Sequence, residues 1–324
     1  MKKSLSIIGA GAWGSALAIA LSDKFDQIFL ITKDKANTKR LGNQHEALSV
    51  PFNTNISISS SFEVIEGSEA VLIATPSSSF NSVLKNLSPQ VKKMPIAWVT
   101  KGFDPDNGKL LHESFSQKFP DHHPCVISGP TFAAEIVEKK PAAIVVASKD
   151  KTTRDFWAET IQTRNLRAYT NSDIVGVQVG GSVKNILAIA AGIANGLGFG
   201  ANTQAALITR GLAEMTRLGV ALGADKATFQ GLSGMGDLVL TCSDDLSRNR
   251  RFGKELANNI STDKALKNIN ATVEGFKALK LVIMIANNHQ IEMPICEQVL
   301  AVTEGRITPR DAVNELLLRK PSAE

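Results

Sequence analysis

Residues 4 to 21 constrain the fold more than any other part of the chain. Ser4-Leu5-Ser6-Ile7-Ile8 is a short apolar run, Gly9-Ala10-Gly11-Ala12-Trp13-Gly14 follows at once, and Ser15 to Leu21 continues as an Ala-rich helical pattern. A strand, a G-x-G-x-x-G turn and a helix in direct succession form the dinucleotide fingerprint. Gly9 permits the tight turn, Gly11 lets the backbone approach a pyrophosphate, and Gly14 lets helix and strand pack closely. The helix start offers unpaired N–H groups and a positive dipole end to the phosphates. A tight strand-to-helix turn with no ligand is the plainer alternative.

Length and composition set the frame. A chain of 324 residues exceeds one ordinary core, so two domains are expected. A net charge of +5 spread along the chain is too mild for a nucleic-acid partner. Cys125, Cys242 and Cys296 have no paired spacing, which argues against a disulfide framework or a zinc site and for a reducing compartment, the cytoplasm. The N-terminal apolar run is too short for a signal peptide or a membrane span, and no other window is read as reaching span length. His122-His123 sit in a polar loop flanked by prolines and are read as surface residues, so no metal is assigned.

In the first half, strands are predicted at 27–31, 69–74, 95–99, 124–128, 142–147 and 166–169, with helices at 132–137 and 150–161. Their unbroken apolar runs predict a mostly parallel, doubly wound sheet of Rossmann-like type covered on both faces. Ligands then lie beyond the C-terminal strand ends, so Gly9, Thr75 and Lys101 should line one crevice. The second strand ends in Thr32-Lys33-Asp34. With Lys33 at that tip rather than a carboxylate, NADP is modestly favoured over NAD as cofactor, and Asp34 keeps NAD open.

After Asp173 only helical patterns remain. The boundaries are set as a dinucleotide-binding domain over 1–180 and an all-α substrate domain over 181–324. The stretch 177–194 is apolar with small residues and reads as a helix buried all round. Lys184 and Asn185 stand within it. A lysine there is costly unless it is paired or faces a polar cavity, and a paired one can give and take a proton. The alternative is a lysine at a domain edge reaching to water. The stretch 202–222 reads as a second long helix, with Ala205, Ala206, Leu212, Ala213, Met215 and Leu218 as packing positions. Asp237 ends a Gly-rich turn near a helix start, where it could also serve as a cap. Ser247-Arg248-Asn249-Arg250-Arg251 is the sharpest basic cluster; arginine suits phosphate, although such runs are also common on solvated helix faces. Dinucleotide cradle, buried lysine and arginine clamp together suggest a dehydrogenase acting on a small phosphorylated alcohol or ketone. A dehydrogenase for another hydroxyacid, or a catalytically silent dinucleotide sensor, uses the same fold.

From Gly176-Val177-Gln178-Val179-Gly180-Gly181-Ser182-Val183-Lys184-Asn185 onward the chain resembles the NAD(P)-dependent glycerol-3-phosphate dehydrogenases of bacterial type. The likeness continues through Gly198 to Asn202, Leu207 to Met215, Gly234 to Leu238, Ser247 to Gly253 and Val273-Glu274-Gly275. Upstream it takes in Gly9 to Gly14, Thr100-Lys101-Gly102 and Ser128 to Ala133. The resemblance implies interconversion of sn-glycerol 3-phosphate and dihydroxyacetone phosphate, feeding phospholipid synthesis. It implies Lys184 as general acid/base with Asp237 beside it. It implies Lys101, Gly129, Thr131, Asn185, Asp237, Thr241, Ser247, Arg248 and Asn249 at the substrate, the last two toward its phosphate. It implies Gly9, Gly11, Ala12, Trp13, Gly14, Lys33, Lys101, Ala133, Arg248 and Glu274 at the dinucleotide. Ala12 stands where many relatives carry Ser or Thr, and the loop 45–53 departs from the usual Leu-Pro pattern, so no contact is assigned to it. Partners are the small substrate alone, with no nucleic acid and no membrane span; a homodimer is left open.

Overall fold

The computed structural model describes residues 3–87, 91 and 94–318. The chain divides into two compact units, Met1–Gln178 and Val179–Glu324. The first holds strands β1 (Ser4–Ile8), β2 (Gln27–Ile31), β3 (Ile56–Ser59), β4 (Ala70–Ile73), β5 (Ile96–Trp98), β6 (Val126–Ser128), β7 (Ala142–Ala147) and β8 (Leu166–Asn171). Its helices are α1 (Ala12–Leu21), α2 (Lys35–Leu41), α3 (Ser77–Leu87), α4 (Leu111–Lys118), α5 (Ala133–Val137) and α6 (Lys151–Ile161). Helix α7 (Ile174–Gly196) begins in this unit and carries the chain into the second. There follow α8 (Ala201–Ala221), α9 (Asp237–Ser243), α10 (Arg248–Leu256), α11 (Thr262–Ile269), α12 (Glu274–Asn288), α13 (Pro294–Thr303) and α14 (Pro309–Leu317). The second unit has no strand among its described residues.

The eight strands form one sheet in the order β3-β2-β1-β4-β5-β6-β7-β8. Neighbours from β3 to β6 run parallel, and β7 runs antiparallel to β6 with β8 parallel to β7. β1 and β4 are buried along their whole length; β4 is apolar throughout, and in β1 the buried Ser4 and Ser6 hydroxyls are bonded to the Gly67 carbonyl and to the Ser68 hydroxyl. The strand order reverses between β1 and β4, and in such sheets the crevice opens at that switch point.

Helix α7 is apolar because it is enclosed. Its 23 residues are long and apolar enough to cross a membrane by length and composition, which corrects the expectation that no window reaches that length. The explanation is its setting: 94% of its most apolar stretch is buried. Its small residues allow close crossings. A Cβ on Gly192 would lie 2.0 Å from the Arg250 carbonyl oxygen, and one on Gly253 would lie 2.1 Å from that of Ile189. Helix α10, with the basic cluster at its start, is thereby seated directly on α7.

Two further expectations change. Ala205 and Ala206, read as packing positions, are exposed; burial on α8 begins at Gly211 and runs through Glu214, Met215, Leu218 and Gly219. An Ala pair satisfies the helical pattern on either face, so periodicity did not fix its side. Asp237 is not a cap. Gly236 holds the cap position of α9, and the Asp237 side chain turns into the interior.

Candidate active site

In the first unit the tips of β1, β4 and β5 are stitched side by side. Ala74 N–H donates to the Ile8 carbonyl at 2.7 Å, Val99 N–H to Ile73 at 2.8 Å, and the Thr100 hydroxyl to Thr75 at 2.8 Å. Gly9, Thr75 and Lys101 therefore lie along one edge. Gly9 has φ of +114°, in the region that favours glycine, and a Cβ there would lie 2.6 Å from the Ala74 carbonyl oxygen. A Cβ on Gly14 would lie 1.9 Å from the Gly9 carbonyl oxygen, so helix α1 can pack on the turn only with glycine at that place.

Gly11 is different, since a Cβ there would meet nothing within 4 Å. It is exposed and stands at the N-cap of α1 with no side-chain cap. The first-turn N–H groups of α1 thus face an open space with no side chain competing for them, which fits a pyrophosphate. Trp13 is half-buried and packs against the core. Ala12, Thr131 and Ala133 are half-buried, the Thr131 hydroxyl donates to the Gly129 carbonyl at 3.3 Å, and α5 packs on α1. At the β2 tip, Thr32 is buried and Lys33 is exposed. Asp34 caps α2, accepting from Asn37 N–H at 2.8 Å and from its side-chain amide at 3.1 Å. Both Asp34 oxygens are thus engaged, and Lys33 is the freer side chain at that tip.

In the second unit the lysine flagged by its apolar setting is 6% exposed and paired. Lys184 Nζ donates to the fully buried Asp237 carboxylate and, at 2.9 Å, to Thr241 Oγ1. The Thr241 hydroxyl in turn donates to the Asp237 main-chain carbonyl at 2.6 Å. The turn before Asp237 is a π-helical segment, Leu232–Gly236, which aims Asp237 inward at α7. A charged pair taken from water is tolerated only with such mutual satisfaction. Nearby, burial pushes the Cys242 thiol up to about 12, against the lowering influence of Lys184 and Arg250, so it remains a thiol.

The basic cluster resolves into separate tasks. Ser247 caps α10, accepting from Arg250 N–H at 3.2 Å. Arg250 is buried and ion-paired with Asp245, which also accepts from Lys254 at 2.9 Å. Arg248 is exposed at the first turn of α10 and has no ion-pair or hydrogen-bond partner among the described residues. Asn249 is buried; its amide donates to Asn185 Oδ1 at 3.0 Å and its oxygen accepts from Gly275 N–H at 2.9 Å. Asn185 donates to Glu274 at 3.4 Å. Asn185 on α7, Asn249 on α10 and the start of α12 at Glu274 and Gly275 are thus tied together by three hydrogen bonds of side-chain amides. The structure brings Lys184, Asp237 and Thr241 into one group and Asn185, Asn249 and Glu274 into another.

Sequence reasoning missed Asp245 and Glu214. Asp245 fixes which arginine is buried and which is left outside. Its signal was an acidic residue five positions before Arg250. Glu214 is buried in α8 and accepts from the Ile295 and Cys296 N–H groups at 2.6 and 3.3 Å, pinning the start of α13. Burial raises its carboxyl to about 7 against those hydrogen bonds. Its signal was a carboxylate set between the packing residues Leu212, Ala213 and Met215. Among the described residues no group of three or more His, Cys, Asp or Glu could hold a metal ion.

Comparison with known proteins gives a consistent result. Residues 4–154 match the family model described as NAD-dependent glycerol-3-phosphate dehydrogenase N-terminus, and residues 173–314 match the corresponding C-terminus. A glycerol-3-phosphate dehydrogenase [NAD(P)+] of Ruthia magnifica subsp. Calyptogena magnifica is 59% identical, with both chains fully covered. That of Hydrogenovibrio crunogenus is 44% identical over 99% of this chain and 96% of its own. The crystal structure of glycerol-3-phosphate dehydrogenase from Coxiella burnetii superposes with a TM-score of 0.94 at 38% identity, covering 98% of this chain and 99% of that one.

Proposed function

This chain belongs to the NAD-dependent glycerol-3-phosphate dehydrogenase family, and from that premise we propose that it reduces dihydroxyacetone phosphate to sn-glycerol 3-phosphate with NADPH or NADH. The observation that carries the reading is the buried group of Lys184, Asp237 and Thr241. A sensor of dinucleotides has no need of an ammonium held in the interior, whereas a carbonyl reduction needs a proton at the carbonyl oxygen.

The dinucleotide, when bound, supplies or accepts the hydride. Gly9 and Gly14 let the turn and α1 pack closely, Gly11 leaves the space in front of them open, and the open start of α1 meets the pyrophosphate. Ala12, Trp13, Ala133 and Glu274 complete that site, and Lys33 meets the ribose end, where its charge favours a 2′-phosphate and hence NADPH. Lys184 as ammonium donates a proton to the C2 oxygen of the substrate, and neutral Lys184 takes it back in the reverse direction. Asp237 and Thr241 orient Lys184 and hold its charge. Arg248, exposed and without a competing partner among the described residues, holds the substrate phosphate with Asn249 beside it. Lys101, Gly129, Thr131, Asn185 and Ser247 are assigned to the substrate, and Lys101 and Arg248 to the dinucleotide as well. Supply of glycerol phosphate to phospholipid synthesis follows from that product. Three free, buried cysteines support a reducing, cytoplasmic setting.

The test is an absorbance assay of cofactor oxidation, run with NADPH and NADH in parallel, on dihydroxyacetone phosphate and on dihydroxyacetone. Each charge-assisted hydrogen bond to phosphate is worth about 1.5–3 kcal/mol. The phosphorylated ketone should therefore have a kcat/KM at least about a hundredfold higher. Equal rates with the two ketones contradict the reading.

A further inference from the structure

Three residues after Lys101 the chain buries a carboxylate that the proposed chemistry does not use. Asp104 is 1% exposed. A carboxylate in that position is costly unless hydrogen bonds replace its water. Neutral donors supply them. Asp104 accepts from the side-chain amides of Asn81 at 3.0 and 3.1 Å and of Asn107 at 2.9 Å, from the Asp106 N–H at 3.0 Å, and from the Ser114 hydroxyl. Burial pushes its carboxyl up, and the donors outweigh burial and hold it below the usual carboxylate range.

Those donors come from three places. Asn81 is on α3, Ser114 is on α4, and Asp106 and Asn107 belong to the loop between β5 and α4. The same loop closes on itself through Asp104 N–H to Lys109 carbonyl at 2.9 Å and a bridge between Phe103 and Leu110. Asp104 is the knot that ties this loop to both helices.

The knot bears on Lys101 through a matched register. Ser77 and Asn81 are one turn apart on α3 and share a face. Gly102 and Asp104, two residues apart, meet that face in the same order. Gly102 has φ of +113°, and a Cβ there would lie 3.0 Å from Ser77 Oγ. Asp104 takes the amide of Asn81. On the other side of Lys101, the Thr100 hydroxyl is bonded to Thr75. The half-buried Lys101 thus sits between a tie to β4 on one side and a seat on α3 on the other.

We propose that Asp104 is a positioning residue for Lys101, fixing the β5 tip so that the lysine is presented at the substrate crevice. This rests on the reading of Lys101 as a substrate- and dinucleotide-site cation. Displacing a positioned group by about 1 Å can cost a hundredfold in rate.

A double-mutant cycle in the full-length enzyme tests it, using Asp104→Asn and Lys101→Met with kcat and KM for dihydroxyacetone phosphate. Asp104→Asn alone should lower kcat/KM by about ten- to a hundredfold. In the Lys101→Met background the same substitution should change kcat/KM by less than about twofold. Equal losses in both backgrounds overturn the proposal, because a purely structural role is indifferent to the lysine. If Lys101→Met alone leaves kcat/KM unchanged, the Lys101 reading itself fails, and this inference with it. Ser114→Ala removes a single donor and serves where Asp104→Asn does not fold. It should give a smaller loss that also vanishes in the Lys101→Met background, and its persistence there overturns the proposal.

Discussion

Lys184 on α7 and Asp237 at the start of α9 form an ion pair inside the second unit, with 6% and 0% of their surfaces exposed. Breaking one side of such a pair leaves an uncompensated buried charge and costs about 3–5 kcal/mol, whereas an apolar pair of similar size is tolerated. Lys184→Met or Asp237→Leu alone should therefore lower stability to urea by that amount. The double variant should recover most of the loss while remaining inactive. Urea unfolding of the four proteins checks this, and a double variant less stable than both singles contradicts it.

The glycines of the fingerprint should separate folding from binding. A Cβ on Gly14 collides with the Gly9 carbonyl oxygen at 1.9 Å, so Gly14→Ala should cost about 1–3 kcal/mol. Gly11→Ala meets only open space and should leave the melting temperature nearly unchanged. It should nonetheless weaken dinucleotide binding, measured by fluorescence titration without substrate, because its methyl enters the space proposed for the pyrophosphate. Unchanged affinity in Gly11→Ala speaks against that placement.

Glu214 should make stability depend on pH. Its carboxyl is raised by burial from 4.5 to about 7 in the folded chain. Between those values the unfolded chain ionises and the folded one keeps its proton, so stability falls as pH rises through that window. The shift corresponds to roughly 3 kcal/mol. Glu214→Gln should flatten the fall, and parallel pH profiles for the two proteins from pH 4.5 to 8 would show that the group does not titrate this way.

Arg248 and Arg250 stand two residues apart and should behave oppositely. Arg248 is exposed, so Arg248→Ala should raise KM for dihydroxyacetone phosphate by about 10- to 150-fold, the worth of one charge-assisted hydrogen bond, with little change in melting temperature. Arg250 is buried against Asp245, so Arg250→Ala should lower the melting temperature by several degrees. Steady-state kinetics with thermal melts separates the two.

The cradle at Gly9 to Gly14 and the buried lysine were legible in the sequence for one reason. Each breaks a local rule, glycines crowded at a strand end and a charge inside an apolar helix. The mostly parallel sheet was legible from its unbroken apolar strands. β3, with only Ile-Ser-Ile-Ser to mark it, was not, because its burial depends on pairing with β2. Nor was the reversal of β7 against β6, which is decided by connections rather than residue type. The division of labour between Arg248 and Arg250 was hidden because an arginine run looks the same whichever member Asp245 captures. Asp104 escaped notice because a polar loop gives no sign that one of its acids is enclosed.

The most direct measurement compares Lys184→Ala with the unaltered enzyme in reduction of dihydroxyacetone phosphate, alongside the dissociation constant for NADPH measured without substrate. Loss of the proton donor should cut kcat by about 10² to 10⁴, with NADPH affinity held within a few-fold. Near-normal turnover in Lys184→Ala contradicts the assignment of Lys184 as the general acid.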